Sequence, residues 1–313
     1  MCCLFGLIDT RLRFTGKEKS KMLHALATVS EVRGTDATGI AYHTGEQLCI
    51  YKRPIPGHKL KFYMRDDTRV GMGHTRMTTQ GKASKNRNNH PFRGIIRDKP
   101  FALAHNGVLY NDLALRRKLG LPKPRIETAS YIGVQLIEQK GTLDFSSLRY
   151  MAEQVEGSFT FTVLDAEDSL YIVKGDNPFC LYYFPRCGLY LYASTEEILC
   201  HAIQRISVNL GSHFTVPVKS GEILKISSKG EEQRQSFDDS KLYIHYYYSS
   251  MFGYGRRRVN FDCSMDAEQN HLDEIKSVAM AFGFTPEEID HLAAEGFSAD
   301  ELEEVLYGYG GEL

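Results

Sequence analysis

Cys2 is the residue of this sequence best suited to nucleophilic chemistry. It follows Met1 directly, and an initiator methionine is usually removed when a small residue comes next. Removal would leave Cys2 with both a thiol and a free α-amine. The thiol can attack an electrophilic carbon, and the amine, with a pKa of about 7.7–8, can take up the thiol proton near neutral pH. The alternative is that Cys2 and Cys3 simply begin a buried strand that continues through residues 4–8.

Arg76 is a candidate for binding an anion. It lies in the stretch GMGHTRMTTQG, residues 71–81, which is typical of a strand that ends in a polar loop with hydroxyls at Thr78 and Thr79. An arginine in such a place can hold a carboxylate through two parallel hydrogen bonds. A single arginine is more often part of a structural salt bridge, so both interpretations stay open.

Asn106 and Gly107 follow an apolar strand predicted at residues 101–104. An Asn-Gly pair in this position is typical of a turn. The same pair fits an oxyanion hole, in which the Asn106 amide and the Gly107 N–H stabilise a developing negative charge. The stretch RGTDATG, residues 33–39, is similarly open: it is either a loop whose backbone faces a ligand or a helix end with a tight turn.

The composition is typical of a globular protein and argues against several classes. The chain has 313 residues, of which 42% are hydrophobic and 25% charged, with a net charge of −1. This charge argues against broad binding to nucleic acid or to a membrane surface. No apolar run has membrane-spanning length and no signal peptide is evident, so we expect a cytoplasmic protein. Seven cysteines without a CxxC pair predict neither a disulfide framework nor a metal site.

The order of the predicted elements indicates an α+β fold. Thr15 and Glu18 form a capping box before a helix predicted at about residues 17–31. Residues 158–165 alternate strictly between apolar and polar, as a half-buried strand does. Because strands come in runs with helices clustered between them, we expect mostly antiparallel sheets in layers.

The composition changes along the chain and predicts three segments. Residues 1–229 form the main domain, and residues 230–264 form a linker or surface segment rich in tyrosine, glycine and arginine. Residues 265–313 form a small module of three helices, the second of which begins at residues 285–288 with proline at its first position. This module is too small for much chemistry, so we expect it to pack or to bind a partner.

Six motifs, taken together and in order, resemble the class II glutamine amidotransferase domain. They are MCCLFG, RGTDATG, GHTRMTTQG, NNHPF, HNGVLYN and EGSFTFTVLD, and the resemblance covers residues 1–226. It implies the four-layer αββα sandwich of the N-terminal-nucleophile hydrolases. It also implies hydrolysis of glutamine to glutamate and ammonia through a thioester, without a metal or a cofactor.

The resemblance implies a role for each matching residue. Cys2 matches the nucleophile, and Asn106 with Gly107 matches the oxyanion hole. Arg76 matches the arginine that binds the α-carboxylate of glutamine, and Thr79 lies in the loop that helps to hold the substrate.

Four further positions complete the comparison with the family. His90 matches a structural or gating histidine, and Arg33 lies in the loop beside the nucleophile. Ala129 stands where the family usually has the aspartate that binds the α-amine of glutamine. Glu127, two residues earlier, could replace that aspartate only if the backbone shifts.

The leading hypothesis is a stand-alone class II amidotransferase, because the residues after 229 are too few for a synthase domain that would use the ammonia. The expected partners are glutamine and a separate ammonia-accepting synthase subunit, and a homo-oligomer is compatible with the sequence. One alternative is a hydrolase of another γ-glutamyl or amide substrate. The other is a non-catalytic binding protein that has kept the fold.

Overall fold

A computed structural model describes residues 2–45, 47–242, 276, 284–295 and 302 of the chain. The chain divides into two compact units, Met1–Asp239 and Ser240–Leu313.

The described part of the first unit contains two antiparallel sheets. Its strands are β1 (Cys3–Asp9), β2 (Ala37–Thr44), β3 (Gln47–Arg53), β4 (Val70–Arg76), β5 (Phe92–Ile96), β6 (Lys99–Leu109), β7 (Gly157–Leu164), β8 (Leu170–Lys174), β9 (Cys180–Phe184), β10 (Leu189–Ala193), β11 (Phe214–Thr215), β12 (Glu222–Ile226) and β13 (Glu232–Ser236). One sheet has the order β11-β9-β10-β1-β4-β2-β3, and the other has the order β13-β12-β8-β7-β6-β5. The antiparallel sheets confirm the predicted α+β class.

The described part of this unit also contains five helices. They are α1 (Gly16–Val29), α2 (Asp112–Leu119), α3 (Tyr131–Lys140), α4 (Phe145–Gln154) and α5 (Glu196–Arg205). The capping box of Thr15 and Glu18 begins α1 as predicted, and a 3-10 turn, Ser30–Arg33, follows the helix. The helix therefore ends two residues before the predicted end at residue 31.

The core lies on both faces of β1, which is buried at every position between β10 and β4. On one face, α1 and α5 pack over Phe5 and Leu7, together with Leu26 and Leu199. On the other face, Leu4 and other residues of the first sheet meet apolar residues of β6, β8 and β12. The helices α3 and α4 contact the second sheet at β5 and β12. The first strand is thereby held rigidly at the centre of the unit.

The second sheet extends beyond residue 229. Strand β13 pairs with β12 from Glu232 to Ser236 and is exposed along its length. The first residues of the segment predicted as a linker or surface segment, 230–264, thus form an edge strand, and residues 243–264 lie outside the described residues. The division into three segments stays a prediction.

The second unit contributes one described helix, α6 (Pro286–Ala294). Thr285 caps it, Glu288 completes a capping box, and proline stands at its start, as the sequence predicts. The helices predicted before and after it fall almost entirely outside the described residues. Within the described parts of the chain, no helix is both long and apolar enough to cross a membrane.

Candidate active site

Cys2 lies at the entry to the central strand, next to Arg76. Cys3 pairs with Thr75 in the antiparallel register of β1 and β4, so the residue before Cys3 lies beside the residue after Thr75. The half-buried Cys2 thiol donates a hydrogen bond to the Met77 carbonyl at 3.4 Å. Arg33, which is buried in the 3-10 turn, donates from Nε to the Cys2 carbonyl at 3.1 Å. These contacts fix the backbone of Cys2 from two sides.

Burial raises the pKa of the Cys2 thiol, and the positive charges of Arg76 and Arg33 act in the opposite direction. The thiolate is the nucleophilic form of cysteine, so a thiol with a raised pKa needs a base to become reactive. An α-amine on Cys2 itself would be such a base without any further side chain.

Arg76 is a buried cation that is surrounded by neutral oxygen atoms. Its guanidinium is 2% exposed and donates to Asn89 Oδ1 at 2.6 Å, to the Gly81 carbonyl at 2.8 Å and to the Gln80 carbonyl. Burial lowers its pKa, and the charge of Asp36 partly opposes this effect. Within the described parts of the chain Arg76 forms no ion pair with a carboxylate, so the salt-bridge alternative is not what the structure shows.

Asn106 and Gly107 lie inside strand β6, which runs on to Leu109 opposite β7. The turn interpretation of this pair is therefore wrong. Gly107 has φ of 132°, and a Cβ at this position would lie 2.0 Å from the Ser158 carbonyl oxygen. Only glycine is accommodated there without displacement of β7.

Ser194 connects Asn106 to the strand of the nucleophile. Its Oγ accepts a hydrogen bond from the Leu4 N–H at 2.9 Å and a longer one from Asn106 Nδ2 at 3.4 Å. Asn106 is fully buried, and its Oδ1 has no partner among the described residues. Ser194 thus links the Asn106 amide to Leu4 of β1, which lies two residues after Cys2.

His90 is buried between aromatic rings near this site. Its ring centroid lies 4.2 Å from that of His74 and 4.2 Å from that of Phe92. Burial, and next the charge of His74, hold its pKa well below the usual range, so the imidazole is neutral. This position favours the structural role over the gating role of His90.

The remaining predicted residues differ in how closely they approach Arg76. Thr79 is exposed. The Ala129 N–H donates at 2.8 Å to the side-chain oxygen of Gln80, whose carbonyl holds Arg76. Glu127 instead binds Lys85 and accepts from Asn88 Nδ2 at 2.9 Å. Ala129 and Glu127 therefore each lie beside a residue that holds the guanidinium: Ala129 binds Gln80, and a Cβ built on Gly81 would lie 3.1 Å from the Glu127 Cβ.

The central part of the chain matches a family of known activity. Residues 74–201 match the family model described as a glutamine amidotransferase domain. The glutamine–fructose-6-phosphate aminotransferase (isomerizing) of Bacillus cereus strain ATCC 10987 is 33% identical over 188 residues. That match covers 57% of this chain and 30% of the relative. Residues 74–201 thus match a glutamine amidotransferase domain, in agreement with the resemblance that the six motifs indicate.

Other comparisons agree with a class II amidotransferase domain. The enzyme of the same name from Halalkalibacterium halodurans is 31% identical over 186 residues, again over 57% of this chain and 30% of the relative. The chain thus spans under a third of the length of these curated relatives.

Two solved structures resemble the fold of the amidotransferase domain. Glutamine phosphoribosylpyrophosphate amidotransferase from B. subtilis, complexed with ADP and GMP, has a TM-score of 0.59 at 19% identity. A structure described as the allosteric regulatory enzyme of purine biosynthesis has a TM-score of 0.60 at 18% identity. Each match covers 76% of this chain and 49% of the other. At these identities the likeness concerns the fold alone.

Some residues around the site of the amidotransferase domain were missed by sequence reasoning. Ser194 directly precedes Thr195, the N-cap of α5, and its side chain contacts Leu4 and Asn106. Asn89 belongs to the motif NNHPF, yet only the structure shows that its side chain holds Arg76. These roles depend on contacts between distant segments, which no local pattern reveals.

Proposed function

We propose that this chain hydrolyses the side-chain amide of glutamine, with Cys2 as the nucleophile once Met1 is removed, and that the ammonia passes to an acceptor. The observation that carries the proposal is the position of Cys2 at the head of β1, opposite Arg76 in the register of β1 and β4, where the charge of Cys2 acts on the buried guanidinium. A carboxylate bound at Arg76 would anchor one end of a substrate whose other end reaches the thiol.

The proposed steps use groups of this chain. The α-amine of Cys2 takes the thiol proton, and Sγ attacks the amide carbon of glutamine. The Asn106 amide and the Gly107 N–H stabilise the oxyanion, and losing one such donor typically costs about 10²–10³ in rate. The protonated amine then donates its proton to the amide nitrogen, which leaves as ammonia. Water hydrolyses the resulting thioester to glutamate. Arg33 holds the Cys2 carbonyl during these steps.

The finer assignments belong to the same proposal. Thr79 helps to hold the substrate from the loop after β4, and His90 supports the site by packing. The helices on the two sheets support a four-layer αββα arrangement, with the second unit as a helical module. The relatives are named aminotransferases that use glutamine, so we propose a synthase as the acceptor of the ammonia.

A second candidate is hydrolysis of an amide that lacks an α-ammonium group. Ala129 carries no charge, and Glu127, the carboxylate two residues before it, already binds Lys85 and Asn88. These contacts lower the pKa of Glu127, so its carboxylate is ionised. Its partners are the Lys85 ammonium and the Asn88 amide. The site would then recognise its substrate chiefly through the carboxylate at Arg76.

Glutamate release from glutamine tests the proposal. We expect the protein with Met1 removed, verified by intact mass, to release glutamate and ammonia in equal amounts. Cys2→Ala should abolish the release, whereas Cys49→Ala, a half-buried thiol at the β2–β3 hairpin, should not change it.

Different substrates separate the candidates. If the protein hydrolyses a γ-amide without an α-amino group but does not hydrolyse glutamine, the second candidate function replaces the first. No turnover of either amide, with folded protein and Met1 removed, would contradict both and leave a binding role on this fold.

A further inference from the structure

Lys52 connects strand β3 to the segment that holds Arg76. Its ammonium donates hydrogen bonds to the carbonyls of Asn89 and Pro91, the latter at 2.9 Å, and lies 5.2 Å from the centroid of the Phe92 ring. The Lys52 carbonyl in turn accepts from Asn86 Nδ2 at 2.8 Å. One lysine thus fixes the backbone on both sides of His90.

Asn89 transmits this constraint to Arg76. The Asn89 side chain accepts from Arg76 Nη1 at 2.6 Å, and its Nδ2 donates to the Ala83 carbonyl at 2.8 Å. Lys52 therefore holds the main chain of the residue whose side chain holds the guanidinium. A shift of Asn89 would rotate the Arg76 guanidinium. The orientation of the guanidinium decides whether it can bind a carboxylate through two hydrogen bonds.

The charges at this place are unbalanced. Within the described parts of the chain, neither Lys52 nor Arg76 forms an ion pair with a carboxylate. Burial, and next the charge of Arg76, lower the pKa of Lys52 to about 8. Two neighbouring cations that are shielded from water are costly, and the exposed Asp36 only partly offsets the charge of Arg76. The bound ligand should therefore be an anion.

We propose that Lys52 is a positioning residue that orients Arg76, through Asn89, toward the carboxylate of the substrate. The inference rests on the proposed function for the identity of that substrate. Lys52 does not touch the reacting atoms; it sets the direction and the net positive charge of the carboxylate subsite. Its loss should therefore weaken substrate binding more than the chemical step.

Steady-state kinetics of Lys52→Met test this role. We expect the KM for glutamine to rise on the order of tenfold with kcat nearly unchanged, because binding in the ground state and the transition state is lost together. Lys52→Arg keeps a cationic donor and should restore most of the lost affinity. Lys99→Met, a change at an exposed lysine paired with Glu167, is the control and should leave the KM unchanged.

The α-methyl ester of glutamine separates positioning from general damage. This ester has no carboxylate for Arg76, so wild type and Lys52→Met should differ little in the KM for ammonia release from it. An equal rise in the KM for glutamine and for its ester would overturn the proposal, and so would an unchanged KM for glutamine. If Lys52→Met does not fold, Lys52→Gln retains a neutral donor and serves in the same comparison.

Binding to Cys2→Ala protein distinguishes this inference from the proposed function. Calorimetry should show glutamine binding that weakens when Lys52→Met is added. If Cys2→Ala binds glutamine, Lys52→Met weakens that binding and the wild-type protein shows no turnover, the proposed hydrolysis is contradicted but the role of Lys52 is supported. Absence of glutamine binding would overturn the carboxylate subsite and, with it, this role.

Discussion

At the scale of single residues, Gly107 shows how the site depends on the absence of a side chain. Its φ of 132° is unfavourable for other residues, and the Ser158 carbonyl occupies the space that a Cβ would need. Gly120 also has positive φ, at 62°, but no atom lies within 4 Å of a Cβ built there. A comparison of the two glycines therefore distinguishes the cost of the backbone conformation from the cost of the steric conflict.

We expect Gly107→Ala to lower the free energy of unfolding by about 3 kcal/mol, since overpacking adds to an unfavourable φ. Gly120→Ala should cost only about 1 kcal/mol, the price of the backbone conformation alone. Urea unfolding followed by circular dichroism measures both changes. Equal losses in the two variants would show that the Ser158 carbonyl moves aside and that the close approach is not required.

At the scale of the elements, local patterns predicted some structures and failed where distant strands decide the outcome. The capping box that begins α1 and the strand β7 are predicted from local patterns and confirmed. The prediction that β7 is half-buried is wrong, because residues 158–164 are buried on both faces of the strand. The Asn106-Gly107 pair favours a turn locally, yet β6 continues because it pairs with β7, some fifty residues later. The candidate nucleophile was predictable from the motifs, whereas the contact of Lys52 with Asn89 was not, since it joins residues 37 apart.

The cap of α1 gives a prediction at this scale. The Thr15 side chain accepts from the Glu18 N–H, and α1 packs against β1. Thr15→Ala should lower the free energy of unfolding by about 1 kcal/mol, because a cap of this kind is worth about that much. Thr28→Ala, which removes an exposed hydroxyl bonded to the His24 carbonyl, is the matched control and should change stability little. Similar losses in both variants would contradict the role of the cap.

At the scale of the whole first unit, three buried histidines link the two sheets and make stability depend on pH. His74 on β4 donates from Nε2 to the carbonyl of His105 on β6 at 3.0 Å, and the His90 ring packs against that of His74 at an angle of 33°. Burial lowers the pKa of both His74 and His105 to about 3, from an ordinary value of 6.5. These imidazoles are therefore neutral in the folded protein at pH values where they would be charged in the unfolded chain.

The sign of the effect follows from this lowering. Above pH 6.5 neither state binds the protons, so the stability is fully present; as the pH falls from 6.5 toward 3, the unfolded chain binds protons that the folded protein excludes. Each such histidine should therefore remove up to about 1.4 kcal/mol of unfolding free energy per pH unit in that window. Urea unfolding between pH 7 and pH 5 measures the slope, and this range avoids most carboxylate titration.

His74→Gln tests the assignment, because glutamine can retain a donor near the position of Nε2. We expect the slope for this variant to fall by the contribution of one proton. Thr28→Ala removes no titratable group and should leave the slope unchanged. A wild-type protein whose unfolding free energy is flat between pH 7 and pH 5 would mean that the buried imidazoles accept protons in the folded state. The assignment of neutral imidazoles at the contact between the two sheets would then be wrong.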